Sequence, residues 1–317
     1  MQLTVVMPAR NAAATIEEAI ASVLAQTMRD FELLVVDDGS HDDTRAFVAA
    51  HSDSRVRLIS QAPQGIAAAL NAGIAAARAP LIARMDADDA CAPTRFEKQL
   101  QLVGSAEVIS CLVEPLGSSG EGLARYIAWT NTLQTQKDIA TARFIESPLV
   151  HPTVVMPRTL AHYRSGVAED YDLWLRLLRE GVRFAKVPEV LFAWRDSPSR
   201  ATRTQPEYSP DRMRALKAEH LLAEMKPARV LFIGAGMEGK PWLALLRAAG
   251  VAVPVVIDVH PRKLGQIIHG ARVMPPSAIA AHDPGLILIG IGVPEARDEI
   301  RALLTPRREG RDYFFVC

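Results

Sequence analysis

Cysteine is scarce in this 317-residue chain: Cys91, Cys111 and Cys317 are odd in number and far apart. That pattern argues against a disulfide framework or a zinc site. No charge of one sign dominates, because Lys plus Arg and Asp plus Glu both stand at 36. Bulk electrostatics therefore gives no case for nucleic acid as a partner. Long hydrophobic runs are missing too. The longest strongly apolar stretch, Leu286 to Val293, falls far short of the ~20 residues of a transmembrane helix. Strand-like residues begin at Leu3, so no signal peptide is expected. These absences predict a cytoplasmic location without a transmembrane segment. The length suits two domains, each large enough to bury its own core.

What the chain does have is a regular alternation. Strand-like runs at Leu3 to Pro8, Phe31 to Val36, Val56 to Ile59 and Leu81 to Met85 are separated by helical patterns at Thr15 to Ala25, from Asp42 onward, and through Asn71 to Ala77. Strands alternating with helices predict an α/β fold with a doubly wound sheet. In such sheets ligands gather at the carboxyl ends of the strands. Three polar clusters fall there: Pro8 to Asn11 with Arg10 between, Asp37 to Ser40, and Asp86 to Asp89.

The third cluster carries the most chemistry. IARMDADDA places carboxylates at Asp86, Asp88 and Asp89 in a turn after a strand. Acids so close repel one another, and a hard cation such as Mg²⁺ or Mn²⁺ with oxygen ligands relieves that repulsion. The competing reading is an acidic surface turn, since Asp favours turns for its own backbone hydrogen bonds. Further on, Glu169-Asp170 opens a helix whose apolar positions Leu173, Trp174, Leu177 and Leu178 keep helical spacing. Acids in a first helical turn also occur for dipole reasons alone.

VVMPARN, VVDDGSHDDT, GIAAALNAGIAAARAPLIARMDADD and AEDYDLWLRL resemble, in order and spacing, the inverting family-2 glycosyltransferases of GT-A fold. The resemblance covers roughly residues 1–200. It implies transfer of a sugar from a nucleotide-diphosphate sugar to an acceptor hydroxyl, with Mn²⁺ or Mg²⁺ as cofactor, in surface polysaccharide or glycoconjugate synthesis. By the same resemblance, Asp38 bonds the nucleobase with Asp37 beside it, Pro8 and Arg10 line the donor site, and Asp86 and Asp88 meet metal and ribose. Asp170 is the catalytic base and Glu169 orients it or the acceptor.

Several positions keep two readings. Asn71 reaches the base through its amide or is a surface helix residue. Arg84 pairs with diphosphate or with the neighbouring acids. His151 lies near the donor or is a satisfied structural residue. Ser40 and Asp43 are expected to cap the following helix. The segment after Phe192-Ala-Trp-Arg195 lacks the His that many family members place there, and Arg195, Arg200 or Arg203 is expected to act as a cationic clamp on diphosphate.

A break at Lys226-Pro227 precedes a second α/β pattern. A strand from Arg229 to Ile233 leads into Gly234, Gly236 and Gly239 and a helix; a strand from Val253 to Ile257 ends in Asp258. This is the dinucleotide fingerprint in its usual context. Further strands are expected at Leu286 to Ile291 and Tyr313 to Val316. The segment DVHPRKLGQIIHGARV resembles the Rossmann-like domains that precede hexapeptide-repeat acetyltransferases acting on nucleotide sugars.

The expected layout is thus a GT-A catalytic domain at 1–215 and a Rossmann-like domain at 227–317. The second domain either binds a nucleotide or serves as a scaffold that docks or forms a homo-oligomer. Expected partners are a nucleotide-diphosphate sugar donor and a saccharide or lipid-linked saccharide acceptor, the latter bringing the protein to the inner face of a membrane. The alternative is a non-catalytic nucleotide-sugar-binding scaffold or sensor. A nucleotidyltransferase fits less well, because the first strand leads into Pro8-Ala-Arg-Asn11 rather than a Gly-rich, Lys-containing loop.

Overall fold

The apolar alternation closes into two sheets in the computed structural model, which describes residues 1–197, 200–282, 285–293 and 295–317. The first sheet holds β1 (Leu3–Ala9), β2 (Phe31–Asp38), β3 (Val56–Gln61), β4 (Leu81–Arg84), β5 (Ala90–Cys91), β6 (Val108–Leu116), β7 (Val155–Pro157) and β8 (Phe184–Arg195). Their spatial order is β3-β2-β1-β4-β7-β6-β8-β5. The four strands expected in the first third of the chain are all present and mutually parallel. The β1 and β2 runs are buried on both faces, as parallel strands covered by helices require.

One reversal decides where the site lies. β7 is antiparallel to both β4 and β6, and β6 is parallel to β8. β6 and β8 therefore run in the same sense as β4, and the carboxyl ends of β1, β2, β4, β6 and β8 share one rim. The helices of this region are α1 (Ile16–Leu24), α2 (Thr44–Ala49), α3 (Ile66–Ala76), α4 (Arg95–Leu100), α5 (Glu121–Thr132), α6 (Gln136–Ala142), α7 (Glu169–Arg179) and α8 (Ala201–Thr204). The main core packs β1, β2 and β6 against Ile16, Ile20 and Val23 of α1 and Phe96 of α4.

The second sheet follows α9 (Pro210–Met225). Its strands are β9 (Leu231–Ile233), β10 (Val255–Ile257), β11 (Ile267–Ile268), β12 (Ala271–Met274), β13 (Ile287–Ile289) and β14 (Tyr313–Phe315), with helices α10 (Gly239–Ala248) and α11 (Ala296–Leu304). The order is β11-β12-β10-β9-β13-β14, parallel except for the β11 edge. The strands are shorter than the apolar runs suggest: Val253 lies ahead of β10, and Ile291 lies beyond β13.

By contacts the chain forms two compact units, Met1–Ile139 with Pro148–Tyr208, and Ala140–Ser147 with Ser209–Cys317. The short segment 140–147 is built into the second unit. Phe144, fully buried, meets Phe314 edge-on at 5.5 Å, and the Arg143 guanidinium lies over both rings at 4.8 and 4.7 Å. Arg143 also pairs with Glu224 at 2.8 Å, and the buried Lys217 ammonium donates to the Ile145 carbonyl at 2.6 Å.

Candidate active site

β4 stops at Arg84, and the chain turns through Asp86 to Asp89 before β5. One oxygen from each of Asp86, Asp88 and Asp89 lies within 4.8 Å of the others. Thr15 donates to the Ala87 carbonyl at 2.9 Å, tying the turn to the start of α1. Because β5 pairs with β8 at Ala90 and Ala193, the end of β8 comes down beside the turn. The Arg195 backbone N–H donates to Asp89 Oδ1 at 2.8 Å, its Nε to the Asp88 carbonyl at 2.7 Å, and its Nη2 to Glu18 at 2.5 Å.

The electrostatics of this turn are strained. Burial first, and the Asp86 charge second, push Asp88 up to about 6. Asp89 is raised well above the usual carboxylate range by burial and by both neighbouring acids, and its Oδ2 is buried with no hydrogen-bond partner. The buried Arg84 forms an ion pair with Asp86, so of its two readings the pairing with neighbouring acids is the one formed. A dication with oxygen ligands fits this donor set: three converging carboxylates, one with an uncompensated buried oxygen. Asp89 joins Asp86 and Asp88 in that group.

The second cluster is built where α7 begins. Leu173, Trp174 and Leu177 are buried, and Trp174 meets His151 and Phe184 edge-on at 5.8 and 6.3 Å. This packing fixes the helix start and sinks its first acids. Asp170 Oδ1 is buried without a hydrogen-bond partner. Burial, then the Glu169 charge, push Asp170 up to about 7. The helix N-terminus favours a carboxylate, yet desolvation wins here.

Glu169 is raised by burial, against which the Tyr208 hydroxyl works, donating to Oε2 at 2.6 Å. The Arg84 charge lowers both Glu169 and Asp170, so one buried cation acts on the metal-type carboxylates and on this pair.

Other expected site residues find partners of their own. Asp38 accepts from Gln61 at 2.8 Å, from the Gln64 backbone at 2.9 Å and from the Gly65 backbone at 2.8 Å, shaping the loop before α3. Asp37 accepts from the Ser40 backbone at 3.2 Å and lies 3.7 Å from Arg45. Pro8 is half-buried in β1 and Arg10 is exposed. Asn71 pairs both ends of its amide with the Tyr163 backbone at 2.8 and 3.0 Å. It braces α3 to that segment, which is neither of its two expected roles.

His151 is buried, neutral at pH 7 because burial holds it well below its usual range, and bonded to Tyr163 Oη at 2.8 Å. That is its structural reading. Asp43 occupies the N-cap position of α2 without a side-chain cap bond, and Ser40 does not cap the helix. Ser40 Oγ accepts from the Asn11 backbone at 2.9 Å, and Asp42 takes the Thr44 N–H at 3.1 Å.

The arginines expected as a cationic clamp also have protein partners. Arg195 is engaged as described, Arg200 lies over the Trp194 ring at 4.0 Å, and Arg203 pairs with Asp196 at 2.7 Å. Each guanidinium has a protein partner.

The Glycosyl transferase family 2 model matches residues 4–161. The "Putative glycosyltransferase EpsE" of Bacillus subtilis (strain 168) is 30% identical over 231 residues, 66% of this chain and 78% of that protein. The chain belongs to glycosyl transferase family 2. A further relative in Escherichia coli, the "UDP-Glc:alpha-D-GlcNAc-diphosphoundecaprenol beta-1,3-glucosyltransferase WfgD", is 31% identical over 188 residues, 56% of this chain and 70% of its own.

The GT-A fold is borne out by solved structures. Staphylococcus aureus TarS 1–349 in complex with UDP-GlcNAc aligns with a TM-score of 0.56 at 15% identity, covering 71% of this chain and 67% of that one. The mannosyltransferase PcManGT from Pyrobaculum calidifontis, in complex with GDP-Man and Mn²⁺, gives 0.50 at 22%, covering 71% and 63%. No helix among the described residues of this glycosyltransferase is long and apolar enough to cross a membrane.

In the second unit two of the three fingerprint glycines are close-packed. A Cβ on Gly239 would meet the Gly234 carbonyl oxygen at 1.8 Å, and one on Gly234, where φ is +104°, would meet the Gly290 oxygen at 2.8 Å. Gly236 has open space around it. Asp258 accepts from the Ala235 and His260 backbones at 2.9 and 2.8 Å and from Lys263 at 2.9 Å. The fingerprint acid is thus tied to its own glycine loop.

Sequence reasoning missed the parts played by Glu18, the Arg195 backbone and Tyr208. Each acts through a partner far along the chain, and no local pattern marks such pairs.

Proposed function

We propose that this glycosyltransferase is metal-dependent and inverting, and that it moves a sugar from a nucleotide-diphosphate sugar to an acceptor hydroxyl in surface polysaccharide or glycoconjugate synthesis. The observation that carries the reading is Asp170: a half-buried carboxylate at the start of α7 whose Oδ1 is buried without a hydrogen-bond partner, and which is raised to about 7. A general base works best when its pKa lies near the operating pH, and a merely structural helix-start Asp gains nothing from such an environment.

In this mechanism Asp170 takes the proton from the acceptor hydroxyl. The freed oxygen attacks the anomeric carbon from the face opposite the diphosphate, the anomeric carbon–oxygen bond breaks, and the diphosphate leaves with its electron pair. One base and one displacement give inversion. Glu169 orients the base. Asp86 and Asp88, with Asp89, would hold Mn²⁺ or Mg²⁺, which when bound supplies positive charge to the departing diphosphate. Pro8, Arg10, Asp37 and Asp38 line the donor end of the rim. The names of WfgD and PcManGT support a lipid-linked acceptor and a divalent ion respectively. The catalytic machinery belongs to the first unit, and the Asp258 carboxylate, already bonded to the Ala235 and His260 backbones and to Lys263, favours a scaffold role for the second.

Donor hydrolysis tests this without knowledge of the acceptor. The protein is incubated with Mn²⁺ and a panel of UDP-, GDP- and dTDP-sugars, and the first-formed sugar is read by proton NMR. Release of the anomer opposite to that of the donor, lost on chelation, is expected. Retention of configuration, or no metal-dependent turnover across the panel, refutes the proposal.

A further inference from the structure

The buried Glu169 is held from outside its helix by one group that no part of the reaction above uses. Tyr208 lies in the short 3-10 turn 206–208, ahead of α9, and its hydroxyl donates to Glu169 Oε2 at 2.6 Å. The other Glu169 oxygen lies 3.8 Å from His151 Nδ1. His151 is neutral and already bonded to Tyr163 through Nε2. We propose that Tyr208 is a positioning residue for the Glu169–Asp170 pair. Its bond holds Glu169 as the acid that ionises first, so that Asp170 gives up the pair's last proton to solvent and, once ionised, is the stronger base toward the acceptor hydroxyl. The inference rests on the transferase reading of Asp170.

The physical argument concerns two carboxyls side by side, Glu169 buried and Asp170 half-buried. Such a pair loses its protons in two coupled steps, and the acid with the better hydrogen-bond donor ionises first. Glu169 has the phenol; Asp170 is lowered by the Tyr171 and its own backbone N–H, and its Oδ1 has no partner. The charges facing the pair come from every element packed on it: Arg84 from β4, Asp86 from the turn beyond it, and Tyr208 from its 3-10 turn, with Tyr163 and neutral His151 also near. Arg84 lowers both acids and so does not choose between them. Tyr208 is the side chain that does, because its donated bond reaches only Glu169. As a short bond from a phenol, it outweighs the Tyr171 backbone N–H on Asp170. With Glu169 ionised, its charge raises Asp170 and makes it the stronger base of the two.

Tyr208→Phe removes one oxygen and keeps the ring. The carboxyl titrations of the metal-free full chain are followed by ¹³C NMR, beside the pH profile of kcat for donor hydrolysis and the Kd for UDP with Mn²⁺. In the variant the proton is expected to move toward Glu169, the acid limb to shift to lower pH, and kcat to fall roughly 10-fold, the scale of one charge-assisted hydrogen bond. The Kd for UDP should stay within two-fold or so, since no donor-binding group is touched. Replacing Tyr208 by 3-fluorotyrosine, a stronger donor, should leave the proton on Asp170 and preserve kcat. Unchanged titrations and an unchanged pH profile in Tyr208→Phe, with UDP binding intact, overturn this inference alone. Failure of the parent to bind UDP, GDP or dTDP with Mn²⁺ overturns the transferase reading, and this inference with it.

Discussion

Asp170→Asn should make the protein at once slower and more stable. Asp170 stands at about 7 in the folded chain against an ordinary 3.8. At about 1.4 kcal/mol per pH unit, the ionised carboxylate costs the fold about 4 kcal/mol as a ceiling, part of it repulsion from Glu169. The sign follows from linkage. A carboxyl raised by folding binds its proton more tightly in the native state, so the cost is absent below pH 4, grows between 4 and 7, and is constant above 7.

Asn carries no charge but still buries a polar amide, which returns ~1–3 kcal/mol of the gain. The net expectation is a variant ~1–3 kcal/mol more stable than the parent at pH 8, with a smaller gap at pH 5. Thermal melts at the two pH values read this directly, at ~2–4 °C per kcal/mol for a chain of this size class. Turnover should fall by ~10²–10⁴, the usual worth of a general base, with donor affinity nearly unchanged. A stability gap that does not widen with pH refutes the buried charge, and a kcat within a few-fold of the parent removes Asp170 as the base.

Asp88→Ala should abolish Mn²⁺-dependent binding of nucleotide diphosphates while the fold persists, since the rim carboxylates support no core; calorimetry with and without Mn²⁺ checks this, and unchanged affinity would exclude Asp88 as a ligand. Gly239→Ala forces a methyl to within 1.8 Å of the Gly234 oxygen, so a loss of several kcal/mol, on the order of other core overpacking or worse, is expected in chemical denaturation; because Gly239 serves packing, NAD⁺ or UDP should not restore it. Arg195→Ala should weaken Mn²⁺ binding at least several-fold in the same calorimetry, because the side chain ties the Asp88 carbonyl to Glu18; equal affinity would show that the turn holds its shape unaided.

The repeating units were legible because their signals are local. The buried strands β1 and β2 announce themselves as continuous apolar runs, and the acids at their ends and after β4 mark the rim within a few residues. Partnerships were not legible, because they span the chain: Asn71 meets Tyr163 92 positions on, and Arg195 meets Glu18 177 positions back. A lone Asn, His or Arg carries no mark of which distant backbone will claim it. The antiparallel direction of β7, which puts β6 and β8 on the same rim as β4, emerges only from pairing. Strand ends in the second unit were overestimated because apolar character continues past the last ladder bond.

The segment 140–147 has a consequence for how this protein is made. Phe144 leaves the ribosome some 170 positions ahead of Phe314, the ring it packs against. At the usual elongation speed of ~5–20 residues per second, roughly 10–35 s separate the two. Every strand of the first sheet has been synthesised by position 195, so that sheet can assemble while a large aromatic and its neighbouring arginine still wait for partners further along the chain. A nascent chain in this interval presents an unburied Phe144, a natural handle for a chaperone. A ribosome that stalls after the first sheet releases a product with that handle permanently exposed.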